Sequence, residues 1–195
     1  MKNFLMAIVV LITLTNTSHA QSFTIARFDL DRSLSLWLIH RTESGFFANV
    51  IVNTDKWVEV DAGWNFQLSF ARKKASLSIT TLVGTNVLLE TGVPQSLVGT
   101  LLVFFDYSFI SSQLWANYFL KFDRQAKDFL YTRLFFTIWN VGLQVELTYD
   151  TEKLEVYLGG TVGLKPLKNL FLKIFLGKSA TSASWIIRFS GEYSF

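Results

Sequence analysis

Residues Trp57–Phe70, WVEVDAGWNFQLSF, sort their side chains by parity. Val58, Val60, Ala62, Trp64, Phe66, Leu68 and Phe70 make an unbroken apolar row. Glu59, Asp61, Asn65, Gln67 and Ser69 fall in the other row, with Gly63 between them and Trp57 as the one large apolar exception. Successive side chains of a strand point to opposite faces, so this stretch is a ribbon with one apolar and one largely polar side. A helix, repeating every 3.6 residues, would mix the two sets.

The same period of two marks out segments along most of the chain: 22–30, 33–41, 46–53, 57–70, 74–84, 98–109, 113–122, 129–139, 141–150, 153–164, 170–177 and 184–195. The first is irregular, because Arg27 and Asp29 share a row with Phe23 and Ile25. Most segments approach the roughly nine to eleven residues that a tilted strand needs to cross a bilayer. The intervening pieces, among them DR, TDK, ARK, DRQAKD, TE, KPLKN and KSATSA, are polar or turn-forming. Pro94 and Pro166 both fall in these connections, where no ladder donor is lost. The longest connection on this reading is 85–97.

The amino terminus, MKNFLMAIVVLITLTNTSHA, has a basic residue, a short apolar run and a small-residue ending at Ala20, which is the layout of a cleaved export signal. The expected division is therefore a signal peptide at 1–20 and one barrel domain at 21–195. The alternative, a retained anchor, needs about 20 apolar residues, more than this run supplies. Cysteine is absent, so neither disulfides nor a thiolate metal site is available. Hydrophobic residues make up 50% and aromatics 16% of the chain. Even so, no segment after the signal has the 18 or more consecutive apolar residues of a membrane helix. The net charge of +3 is too small to point to a nucleic-acid partner.

An exported, hydrophobic, strand-patterned chain without a membrane helix reads as an antiparallel up-and-down transmembrane β-barrel. If both ends lie in the periplasm, links alternate backwards from the last strand, and 85–97 falls on the outside. Closing that alternation requires a strand before Ser33, giving twelve strands; ten, with the N-terminal portion as a short plug, is the alternative. A soluble barrel with an apolar centre, of the lipocalin sort, would share the alternation. Against it stand the width of twelve strands and the density of large residues in nearly every apolar row, such as Leu130, Leu134, Phe136 and Ile138.

The last strand, SWIIRFSGEYSF, carries Trp185, Ile187, Phe189, Gly191, Tyr193 and Phe195 in one row and ends on an aromatic residue. In this it resembles the Gram-negative outer-membrane β-barrel class. That resemblance implies that Tyr193 and Phe195 belong to the signal read by the barrel-assembly machinery, and that the protein resides in outer-membrane lipid. Tyr149, Trp185, Tyr193 and Phe195 lie near strand ends, where aromatic girdles are expected.

Catalytic signals are scarce. Lipid- or peptide-hydrolysing members of the class rely on a histidine beside a serine or acid. The one histidine after the signal, His40, falls on the outward row as an interfacial polar residue with no triad partner nearby. No metal-ligand spacing or glycine-rich phosphate loop is present, and no cofactor is expected. Gly159, Gly160 and Gly163 mark a bend or a thinned wall.

The inward row supplies the candidate lumen-lining residues Glu59, Asp61, Asp106, Asn117, Lys121, Arg133, Gln144, Glu146, Glu155, Lys173, Arg188 and Glu192. Arg133 and Glu146 are expected to pair diagonally across a tight turn. Trp57, Phe104, Trp115, Phe119, Tyr131, Phe135, Trp139, Tyr157, Phe171 and Phe175 share the interior and narrow it. The expected function is a narrow passive channel for ions or small hydrophilic solutes, with the 85–97 loop folding over its outer mouth. A closed structural or surface-interaction barrel is the alternative, and a lipid-modifying enzyme the third reading.

Overall fold

The computed structural model describes residues 23–30, 34–70, 74–123 and 125–194, with side chains for 35–70, 74–123 and 125–193. The export signal and Phe195 lie outside the described residues. Twelve strands follow in order: β1 Phe23–Leu30, β2 Leu34–Arg41, β3 Phe46–Asn53, β4 Trp57–Phe70, β5 Ala75–Leu88, β6 Pro94–Tyr107, β7 Ile110–Lys121, β8 Phe129–Ile138, β9 Val141–Asp150, β10 Leu154–Leu167, β11 Leu170–Ser179 and β12 Trp185–Ser194. Each pairs antiparallel with its sequence neighbours, and β1 pairs with β12 from Ile25↔Ser194 to Leu30↔Phe189, closing the barrel. Twelve strands, not the ten-stranded alternative, make the wall. The irregular first segment is needed for closure.

Parity settles which side faces out. Along β4 the row from Val60 to Phe70 points away from the bore, with Phe66 60% exposed. Leu143 on β9 is 67% exposed. Trp57, Glu59, Asp61, Asn65 and Gln67 of the odd row line internal cavities. The soluble alternative, with its apolar row at the centre, is thereby excluded. A continuous exterior of Val, Leu, Ile, Phe and Trp is a surface that hydrocarbon solvates and water does not. Every backbone ladder is closed, which removes the unpaired edges that cannot exist in lipid.

Link lengths orient the cylinder. At one end the connections include the two-residue turns 108–109, 139–140 and 168–169. Ser108 and Trp139 enter two of them at φ of 55° and 61°, as tight hairpins require. The other end carries the links 54–56, 89–93, 122–128, 151–153 and 180–184. Short turns on one rim and longer loops on the other match the periplasmic and outer sides of such barrels.

Four expectations are corrected. The connection 85–97 is mostly strand, because β5 runs on to Leu88 and β6 begins at Pro94, leaving only 89–93 as link. Thr85 pairs with Leu97 and Asn86 with Ser96 before the register shifts, so no long loop exists there to cover the mouth. Pro94 is the first residue of its strand, and Pro166 lies within β10 where the register shifts between Leu164 and Leu167. Both are positions that need no ladder donor. Trp139 is not interior; it sits exposed in a two-residue turn, its ring 6.2 Å from that of Phe109. Arg133 lies directly opposite Glu146 rather than diagonal to it.

Candidate functional site: the barrel lumen

Half of the bore is filled. Arg133 on β8 and Glu146 on β9 face one another across the hairpin with Arg133 Nε 3.5 Å from Glu146 Oε1. Arg188 of β12 reaches across the interior to bring Nη2 within 3.0 Å of Glu146 Oε2, and its Nη1 donates to the Tyr131 hydroxyl at 2.8 Å. That hydroxyl also accepts from Arg133 Nε, and Gln144 donates to Glu146 Oε1. All three charged side chains are buried. Two guanidiniums therefore share one carboxylate in a site of low dielectric, where an unpaired charge is costly. Around them sit Phe135 and Phe175, both buried, and Lys173 Nζ lies 3.5 Å from the Phe135 ring centroid.

Glycines make room for these rings. A Cβ on Gly163 would stand 2.5 Å from the Phe171 ring, and one on Gly177 would stand 2.3 Å from the Phe175 ring. The glycines of β10 and β11 thus thin the wall where inward aromatics lie flat against it.

Among the described residues the other half of the bore holds two cavities. The larger, of about 290 Å³, is lined at its mouth by Arg41, Gln67, Ser76, Asp106 and Gln113, which come from strand ends at the short-turn rim. The smaller, of about 210 Å³, is lined by Ser35, Trp57, Phe129 and Tyr131 toward the outer rim. Trp37, Glu59, Trp115 and Asn117 line both. Between the cavities the rings of Trp37 on β2 and Trp115 on β7 meet edge to face across the bore, 4.2 Å between centroids. Trp115 Nε1 donates to Asn117 Oδ1 at 2.5 Å, and Ile51 and Leu102 complete this waist. Among the described residues the constriction is a side-chain contact, not a plug of chain.

The remaining candidates lie nearer the rims. Asp106 is exposed at the short-turn mouth, and Glu192, on the opposite side of the ring, also lines the larger cavity. Glu155 pairs with Lys153 at 2.5 Å on the outer rim. Lys121, also at the outer end, places Nζ 5.1 Å from the Phe129 ring centroid. Parity puts Trp37 on the inward row with Ser33 and Ser35, and it does line both cavities, although it is not among the expected lumen residues; sequence reasoning missed Asn49, which faces Asp61 across β3 and β4. Tyr193 is exposed on the outer face.

The outer links are tied in pairs. Lys56 and Glu90 form an ion pair between 54–56 and 89–93, and Leu89 N donates to Lys56 O at 2.7 Å. The shared hydrogen bond raises the Lys56 pKa and lowers that of Glu90. Lys127 and Glu152 tie 122–128 to 151–153. His40 is buried, not displayed at an interface as expected, and its Nδ1 meets no hydrogen-bond partner among the described residues.

A closed twelve-stranded barrel, apolar outside and largely polar within, is the architecture of outer-membrane β-barrels. The sequence matches no family model and no curated protein. Among solved structures the fold is similar to the KdgM porin, at TM-score 0.52 and 16% identity over 89% of this chain and 99% of that one. It is similar as well to the KdgM porin in complex with disordered oligogalacturonate, at TM-score 0.53, 16% identity and the same coverage of both chains. At that identity the likeness is one of fold.

Proposed function

We propose that the protein is a narrow passive channel of the outer membrane, admitting ions and small hydrophilic solutes and performing no catalysis. The observation that carries this reading is the pair of cavities opening toward opposite rims and sharing four lining residues. Among the described residues the Trp37–Trp115 contact and its apolar neighbours stand between them. Rotation of one indole would join the cavities without disturbing the backbone ladder. Its partners on this reading are membrane lipid, the assembly machinery that would read Tyr193 and Phe195, and a small solute. The KdgM porin is described with oligogalacturonate bound. Here Glu59 and Asp61 face the route, and like-charge repulsion disfavours a carboxylate-bearing oligosaccharide.

The test is single-channel recording in planar bilayers. Wild type is expected to give small conductance steps, and Trp115→Ala larger ones, because truncation removes the ring that bridges the bore. The ion network and the indole contact also favour a second reading, a closed structural barrel. Absence of steps from both proteins would establish that reading and end the channel proposal.

A further inference from the structure

Trp115, on the inward row of β7, is 4% exposed, and the ring that closes the bore against Trp37 carries one polar atom, Nε1. An indole N–H can only donate, and a buried one needs an acceptor. Asn117, two residues further along the same row and 6% exposed, supplies it through Oδ1 at 2.5 Å. The Asn117 amide is therefore turned with its oxygen toward the indole. A hydrogen bond between neighbours on one row ties the torsions of the ring to the strand that carries it. The ring is thereby kept in mid-bore, edge to face with Trp37, rather than in another staggered well.

A second acceptor lies beside the first. Thr100 of β6 pairs directly with Asn117 in the ladder, and Leu102 pairs with Trp115, which sets Thr100 diagonal to Trp115 on the inward face. Diagonal neighbours on one face are within reach of an aromatic side chain. Thr100 is 6% exposed, and its Oγ1 meets no hydrogen-bond partner among the described residues. A hydroxyl oxygen can accept, and a buried one without a partner is unfavourable. Leu102 beside it is buried and apolar. The β6 wall thus offers the indole a second resting place, with an apolar bed for the ring and an acceptor for its N–H. Thr100, Leu102, Trp115 and Asn117 all line the larger cavity, whose volume of about 290 Å³ leaves room for the ring to turn.

We propose that Asn117 is the positioning residue of the constriction, a latch that holds the Trp115 indole across the bore, and that Thr100 receives the indole N–H when the ring swings against β6. The swing exchanges one hydrogen bond for another. What it removes is the edge contact with Trp37, and with it the barrier between the two cavities. No ladder bond takes part, so the wall stays closed in both positions. This deepens the channel reading and rests on it only for the consequence to conduction, since the two positions of the ring are a property of the side chains alone.

Ring position is read without conduction. The full-length barrel is labelled with fluorotryptophan and followed by fluorine NMR in detergent; of its six tryptophan resonances, that of Trp115 is the one lost in Trp115→Phe. Asn117→Leu removes the acceptor at similar volume and is expected to move that resonance. Asn117→Asp, which keeps an oxygen there, is expected to bring it back toward the wild-type position. In planar bilayers Asn117→Leu is expected to raise the open-to-closed ratio about fivefold and Thr100→Val to lower it about fivefold, the factor that one hydrogen bond carries. Both substitutions delete a buried polar group, so a merely structural role would shift the ratio in the same direction for both. Folding is checked by heat-modifiable gel mobility. A Trp115 resonance that stays in place in folded Asn117→Leu, or ratios that move in the same direction, overturns the latch. Should Asn117→Leu fail to fold, a Thr100→Val ratio equal to that of wild type overturns it as well. A resonance that moves as expected without conductance from any variant would sink only the channel reading, and conductance with an unmoved resonance only the latch.

Discussion

Glu146→Ala tests whether the filled half of the bore is dry. The substitution removes the carboxylate that sits 3.5 Å from Arg133 Nε and 3.0 Å from Arg188 Nη2, leaving two buried guanidiniums side by side. In bulk water each contact would carry only about 1 kcal/mol, whereas at an effective dielectric near 20 the same separations give roughly 5 kcal/mol apiece before desolvation is subtracted. Breaking a buried pair by deleting one partner costs about 3–5 kcal/mol overall, because the orphaned charge stays buried. We therefore expect Glu146→Ala to lower the unfolding free energy by about 3–5 kcal/mol, measured by urea titration of the barrel in lipid vesicles through tryptophan fluorescence. Arg133→Met should cost less, since Glu146 keeps Arg188. The double variant should then fall short of the sum of the singles, because the residues share one network. A loss below about 1 kcal/mol for Glu146→Ala would mean solvated charges of the exposed kind and would refute the account of this half as occluded.

Three further outcomes follow from particular contacts. Gly84→Ala places a Cβ 2.1 Å from the Val60 carbonyl oxygen and 2.0 Å from Asp61 Oδ1. It should destabilise the barrel by about 1–3 kcal/mol, as overpacking does; an unchanged urea midpoint would contradict the close approach. Val83→Arg, on the exposed outer row near the middle of β5, should cost about 2–4 kcal/mol in vesicles, against about 0–1 kcal/mol for Leu89→Arg at the outer rim; equal costs would mean the belt is misplaced. At the rim, the lowered Glu90 pKa means its contribution is complete above the ordinary carboxylate range and is lost as pH falls through the depressed value. The raised Lys56 pKa means its contribution is complete below the ordinary lysine range and is lost as pH rises through the elevated one. The protection factor of the Leu89 amide against hydrogen exchange, relative to its intrinsic rate at each pH, should be greatest between those limits and smaller in high salt, since that amide is bonded to Lys56 O.

The wall was legible because parity is a local property. Each outward row can be read from its own strand, and β3, β4 and β9 keep the bounds the alternation implies. The rim between β5 and β6 was not, since Glu90, Thr91, Gly92 and Pro94 carry turn signals while the buried pair Ser96 and Asn86, joined at 2.7 Å, extends the ladder past them. Polar inward residues look like loop when their partner strand is unknown. The same limit separates the parts of the lumen network. Arg133 and Glu146 share a hairpin and could be matched from sequence. Arg188 joins them only because closure brings β12 across the bore from β8 and β9. Trp37 and Trp115, on β2 and β7, likewise meet only in the closed cylinder.

That distinction bears on charge. The chain carries a net +3, and an inward row of mixed signs reads as neutral when its members are simply counted. Their placement is not neutral. Arg133, Arg188 and Lys173 lie with Glu146, Tyr131 and Phe135 in the filled half, while Glu59 and Asp61 lie on the wall of the open half. An ion that enters either cavity samples the potential of its lining, where low-dielectric walls focus the field of nearby groups. The selectivity of such a bore is thus set by which charges are already neutralised by neighbours, and a net-positive chain can present a cation-attracting route.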